Sequence, residues 1–150
     1  MKIGVGCDHG GFVLKNSVIK AIKESGYEYV DYGTFDAEKS VDYPDYASLV
    51  AKAVLNKDVD MGVLICGTGI GISIAANKYV GIRCAHVTDS FSAQMSREHN
   101  NANILALGGR ISSEEDAYNF TKIFLQTKFA GGRHQRRLDK ISEIEREQCK

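Results

Sequence analysis

Residues 61–66 read MGVLIC, six apolar positions in a row, and they lead straight into GTGIGISIAANK. A strand with one wet face alternates apolar and polar residues, whereas an unbroken run belongs to a central parallel strand covered on both faces. Parallel neighbours cannot be joined by a tight hairpin, so such a strand demands helical crossovers before and after it. The remainder of the chain meets that demand. Four further β-rich runs, KIGVGC (2–7), YEYVDYG (27–33), GIRCAHV (81–87) and ANILALGG (102–109), alternate with helical patterns.

The helices have their own signals. Leu14, Val18, Ala21 and Ile22 share one face of the first, which Gly26 stops. A second starts near Pro44 or Asp45, with Ala47, Val50, Ala51 and Val54 as its stripe. A short helix after the glycines runs to about Lys78, and Asp89 caps the next. Residues 112–129 offer a serine cap, early acidic residues and a stripe through Ala117, Phe120, Ile123 and Phe124; a terminal helix starts near Arg133. The expectation is one α/β domain over 1–150, a five-stranded parallel sheet with helices on both faces, and no repeat or linker.

Composition narrows the function classes. Nineteen basic residues balance nineteen acidic ones, so no net field favours nucleic acid or a membrane surface. No apolar run approaches a membrane span, and the opening MKIGVGCDHGG does not read as a signal peptide. Cys7, Cys66, Cys84 and Cys149 lack metal-type spacing, and the expectation is reduced thiols in the cytoplasm with no metal and no cofactor.

In open parallel sheets ligands bind beyond the carboxyl ends of the strands. There the sequence places Cys7-Asp8-His9, Cys66-Gly67-Thr68-Gly69 and Gly108-Gly109-Arg110. Gly67, Gly69 and Gly71 permit backbone angles closed to other residues and bring N–H groups near an anion. Neither the dinucleotide fingerprint nor a phosphate-binding GK[ST] follows. Cys66 is either a small residue closing a buried strand or a base or nucleophile beside that loop. Asp8 and His9 either hydrogen-bond sugar hydroxyls or shuttle a proton; alternatively Asp8 caps the first helix and His9 meets solvent. His99 is weak evidence alone, since histidine suits a helix C-terminus. His86 receives no role. Arg110, Arg133 and Arg137 are expected around the same end of the sheet or within reach of it from the terminal helix, the last two on one helical face suited to phosphate, with His134 off that stripe.

Taken in order, GCDHGG, DYPDYA, ICGTGIGISIAANK, GIRCA, SREHNNANILALGGR and GGRHQRR resemble the ribose-5-phosphate isomerase type B family, which includes galactose- and allose-phosphate isomerases. The likeness runs from residue 3 to about 145. It implies a Rossmann-like α/β/α sandwich and a homodimer, or a tetramer, whose sites are shared between subunits through the C-terminal helix. It further implies metal-free interconversion of ribose 5-phosphate and ribulose 5-phosphate. By that resemblance Cys66 is the base, because Ile72 to Ala75 carry no carboxylate where other members have a glutamate. Gly67, Gly69, Ile70 and Gly71 form the anion hole, with Thr68 assisting. His99 opens the ring, Asn100 binds substrate, Asp8 and His9 contact sugar and phosphate, and Arg110, Arg133 and Arg137 hold phosphate. Two alternatives stay open: an isomerase of a six-carbon sugar phosphate such as allose 6-phosphate, and a non-catalytic phosphosugar-binding protein.

Overall fold

Strand and helix alternate along the chain as β1 (Lys2–Cys7), α1 (Phe12–Glu24), β2 (Glu28–Asp31), α2 (Tyr43–Leu55), β3 (Met61–Cys66), α3 (Ile70–Ala76), β4 (Cys84–His86), α4 (Ser90–Glu98), β5 (Ile104–Gly108), α5 (Glu114–Gln126) and α6 (Arg133–Gln148). This computed structural model describes residues 1–149, so Lys150, the last position of the expected domain, lies outside the described residues. All strand pairs are parallel, in the order β2-β1-β3-β5-β4. The expected five-stranded parallel sheet is present, and it forms the middle layer of a Rossmann-like α/β/α sandwich.

MGVLIC becomes β3, between β1 and β5, and Val63, Leu64 and Ile65 are wholly buried. On one face α1, α4 and α5 enclose Val5, Ile65, Leu107 and Phe124. On the other, α2 and α3 cover Leu64, Cys66, Ile104 and Ala106. Val50 of α2 seats on Gly6 and Gly62, where side chains on β1 and β3 would block it. A fully buried Leu, Ile or Phe contributes about 1.5–3 kcal/mol, so these two faces dominate stability. By contrast α6 buries only His134 and Leu138 of its sixteen residues. The chain's own core does little to hold that helix.

Several boundaries differ from expectation: β2 covers four of the seven residues 27–33, β5 five of the eight residues 102–109, and three other elements shift. α2 begins at Tyr43, with Asp42 extended before it, and α3 ends at Ala76 rather than near Lys78. β4 shrinks from seven expected residues to three, and side-chain oxygens take the N–H groups at its start. Asn103 Oδ1 accepts from Arg83 N at 2.8 Å, and Asn77 Oδ1 from Cys84 N at 2.8 Å. The Asp89 and Ser113 caps form as expected, accepting from Ser92 N and Asp116 N.

Candidate active site

The chain steps from β1 and β2 on one side to β3 on the other, so the sheet's switch point lies between β1 and β3. Three strand ends converge there. Asp8 N donates to Ile65 O at 3.1 Å, Gly109 N to Cys66 O at 2.8 Å, and Arg110 N to Gly67 O at 2.9 Å. Glycine serves close approach more than unusual angles. A side chain on Gly10 would press on the Gly67 backbone, one on Gly11 on Ile65 O, and one on Gly109 on Gly10 O. This corrects the expectation for the loop: of Gly67, Gly69 and Gly71, only Gly69 has a left-handed φ, +83°. Arg110 Nη1 lies 2.7 Å from where a Gly67 Cβ would be, and the Tyr43 ring lies equally close to that of Gly71.

Cys66 ends β3 with 5% exposure. The Gly69 N–H donates to its Sγ at 3.1 Å, which aims a donor at the atom that carries charge whenever the thiol acts as a base. Thr68 is exposed; its Oγ1 accepts from Ile70 N at 3.2 Å, leaving the hydroxyl proton free to be donated outward. α3 is only seven residues long, so the loop's own N–H groups count for more here than a helix dipole. Below the loop, His86 stands 2.7 Å from where a Gly69 Cβ would sit, and its buried Nε2 has no hydrogen-bond partner. Tyr43 and His86 both escape sequence reasoning, since contact with a glycine loop far along the chain leaves no periodic trace.

Asp8 is buried, and its Oδ1 accepts from Gly11 N at 3.0 Å. It therefore holds the turn into α1, whose N-cap is Gly11. His9 is half-buried, and its Nδ1 accepts from Val41 N at 3.2 Å.

The other expected residues are elsewhere. Cys66 is in register with Gly108 at the carboxyl end of β5, whereas Ile104 opposes Gly62 at the amino end. His99 caps α4 five residues before Ile104, at the amino end of the sheet, and β5 alone separates the two ends by about 13 Å. α6 starts beside His99: the His134 and His99 rings stack with centroids 4.1 Å apart. Asn100, Arg133 and Arg137 belong to this second cluster and are exposed. The expectation that Arg110, Arg133 and Arg137 surround or reach one end of the sheet is thus corrected within a single chain. His134 is the residue the sequence reading undervalued. It lies one turn before Leu138 on the buried face of α6, and that i, i+4 pairing was the available signal. Burial, then His99 and the Arg133 and Arg137 guanidinia, push the His134 pKa below its ordinary value.

The other thiols differ in kind. Burial pushes Cys7 up to about 11 against the lowering effect of Lys15, and burial alone pushes Cys84 up to about 12. Both stay protonated. Among the described residues no three His, Cys, Asp or Glu side chains gather as a metal site would.

A family model described as Ribose/Galactose Isomerase matches residues 3–141. Ribose-5-phosphate isomerase B of Escherichia coli is 49% identical over 144 residues, 96% of each chain. The ribose-5-phosphate isomerase B structure from Clostridium thermocellum has a TM-score of 0.94 at 53% identity, covering 98% of this chain and 99% of that one. That from Mycoplasma genitalium, with bound ribulose-5-phosphate, has a TM-score of 0.91 at 41% identity, covering 97% of each.

Proposed function

The chain belongs to the ribose/galactose isomerase family, and on that premise we propose that it interconverts ribose 5-phosphate and ribulose 5-phosphate. The observation that carries this reading is Cys66: a thiol at the switch-point crevice, with the Gly69 N–H on its sulfur and a glycine loop after it. Cys66 as thiolate removes the C2 proton of the open aldose and returns it to C1. Between those steps the electron pair resides in an enediolate, whose oxygen faces the N–H groups of residues 67–71. Thr68, with its hydroxyl proton free, relays the proton between O2 and O1. Arg110, lying over Gly67, holds negative charge of the substrate at this end, and Asp8 and His9 complete its contacts.

His99, Asn100, Arg133 and Arg137 serve the corresponding site of a second copy, where His99 opens the sugar ring and the arginines grip phosphate. Two observations support a homodimer. These residues share the end of the sheet away from Cys66. A groove of about 670 Å³ lies beside them, between the edge strand β4, α4 and α6. Phe91, Ile141 and Ile144 line it and are exposed, Phe91 by 71%. An apolar edge of this kind suits burial against a second copy. The four free cysteines suit the reducing cytoplasm, where sugar phosphates are metabolised.

The test compares kcat/KM for ribose 5-phosphate and allose 6-phosphate and follows exchange of the C2 proton with solvent. Preference for the five-carbon sugar with exchange supports the reading. Preference for the six-carbon sugar overturns the substrate, and binding without exchange overturns the chemistry.

A further inference from the structure

A lysine inside the apolar stripe of a helix needs a reason, and Lys15 is such a residue. It lies on α1 beside Leu14 and one turn before Val18, with 4% exposure. A buried ammonium is costly unless it is paired and hydrogen-bonded, and Lys15 is both. Its Nζ is 2.8 Å from Asp31 Oδ2 and donates to Thr34 O at 2.6 Å. The Phe35 ring lies 4.3 Å from it, centroid to nitrogen. The other Asp31 oxygen accepts from Gly33 N at 2.9 Å. Gly33 and Thr34 in turn exchange backbone hydrogen bonds with Cys7, Cys7 N to Gly33 O and Thr34 N to Cys7 O.

These contacts clamp the root of the 32–42 loop, which has no regular structure, to the residue just before Asp8 and His9. The far end returns to the same segment, where Val41 N–H donates to His9 Nδ1. A nitrogen that accepts this N–H must offer its lone pair, so the ring proton resides on Nε2.

We infer that Lys15 is a positioning residue: through Asp31 and Thr34 it sets the 32–42 loop so that Val41 occupies His9 Nδ1, and His9 meets the substrate as an Nε2–H donor. This decides between the two uses of His9 that the sequence left open. A ring whose Nδ1 is filled by a backbone N–H and whose Nε2–H is donated to an anionic oxygen has no lone pair free to accept a substrate proton. His9 is a fixed grip and not a proton shuttle. The substrate part of this inference rests on the isomerase reading above; the tautomer does not.

Nitrogen-15 NMR of the histidine rings in the substrate-free protein reads the tautomer directly, with His9 assigned by comparison with His9→Gln. The wild type is expected to show His9 Nδ1 unprotonated and Nε2 protonated; the reverse assignment overturns the inference whatever the variants do. Lys15→Met removes the charge and keeps the stem, and Lys15→Met/Asp31→Asn avoids the orphaned carboxylate if the single variant folds poorly. In either, the His9 signals should move toward mixed tautomers, and KM for ribose 5-phosphate should rise roughly tenfold while kcat changes far less. In His9→Gln, whose amide nitrogen can replace the Nε2 donor, the Lys15 substitution should add little to KM. An unchanged His9 spectrum and KM in a folded Lys15 variant would overturn the inference. A wild type inactive on every sugar phosphate would sink the isomerase reading and leave the NMR result standing by itself.

Discussion

His99 and His134 stack nearly parallel, 13° between planes, at the end of the sheet away from Cys66. The contact ties α6 to the body of the chain, since Leu138 is the only other buried side chain on that helix. Its charge state therefore matters. The pKa of His134 is below the ordinary 6.5 in the folded protein, through burial, His99, Arg133 and Arg137 in that order.

Below pH 6.5 the unfolded chain binds the His134 proton while the native state resists it, so the stability present above that pH declines as pH falls. Melting temperature should drop between about pH 7 and pH 5 more steeply in the wild type than in His134→Gln. Parallel slopes in the two proteins would remove His134 from the account.

Cys66→Ala and Cys66→Ser should fold normally and lose about 10²–10⁴-fold in kcat, the range for removal of a general base. Circular dichroism checks the fold, and ribulose 5-phosphate formation reports turnover. Near-normal rates in both variants would return Cys66 to the role of a packed strand end.

The proposed sharing of sites between two copies makes an arithmetical prediction. Cys66→Ala and His99→Asn, each inactive alone, form mixed dimers with one intact site when unfolded and refolded together. With random pairing, half the dimers are mixed, and activity should recover to about a quarter of wild type. No recovery would place Cys66 and His99 in one chain's site, against the sheet register.

Gly69 combines the left-handed φ of +83° with His86 directly beneath it. Gly69→Ala should cost about 1–3 kcal/mol by denaturant unfolding and lower kcat as well, because the same N–H is bonded to Cys66 Sγ. Gly26, also at positive φ but with open space around it, is the control: its alanine variant should cost less and leave kcat unchanged.

Thiol labelling should separate the cysteines. Cys149 is exposed and should react with a disulfide reagent within minutes at pH 8. Cys7, wholly buried and held protonated, should react only on unfolding. Cys84, half-buried on the groove but with its thiol pushed up by burial, should react more slowly than Cys149, and mass spectrometry after brief labelling distinguishes the sites.

Much of the architecture was legible along the chain. Strands β1 and β3 were read to the residue, because burial on both faces leaves unbroken apolar runs, and the Asp89 and Ser113 caps followed from local hydrogen bonding. β4 was read too long at its start, where the Arg83 and Cys84 N–H groups go to Asn103 and Asn77, partners that an apolar pattern does not reveal. Asp8, Cys66 and Arg110 were legible as places as well as types, whereas His99, Arg133 and Arg137 were legible only as types.

Sequence alone determined the layered α/β class and the convergence of Asp8, Cys66 and Arg110, since each follows a strand and parallel strands end on one side. Tertiary structure decided what strand order and packing control. It separated His99 and Arg133 from Cys66 by the length of the sheet. It turned His134 inward onto His99 and clamped the loop over His9 with a buried lysine. Periodicity records which face of an element is covered; which element covers it is decided only when the chain has folded.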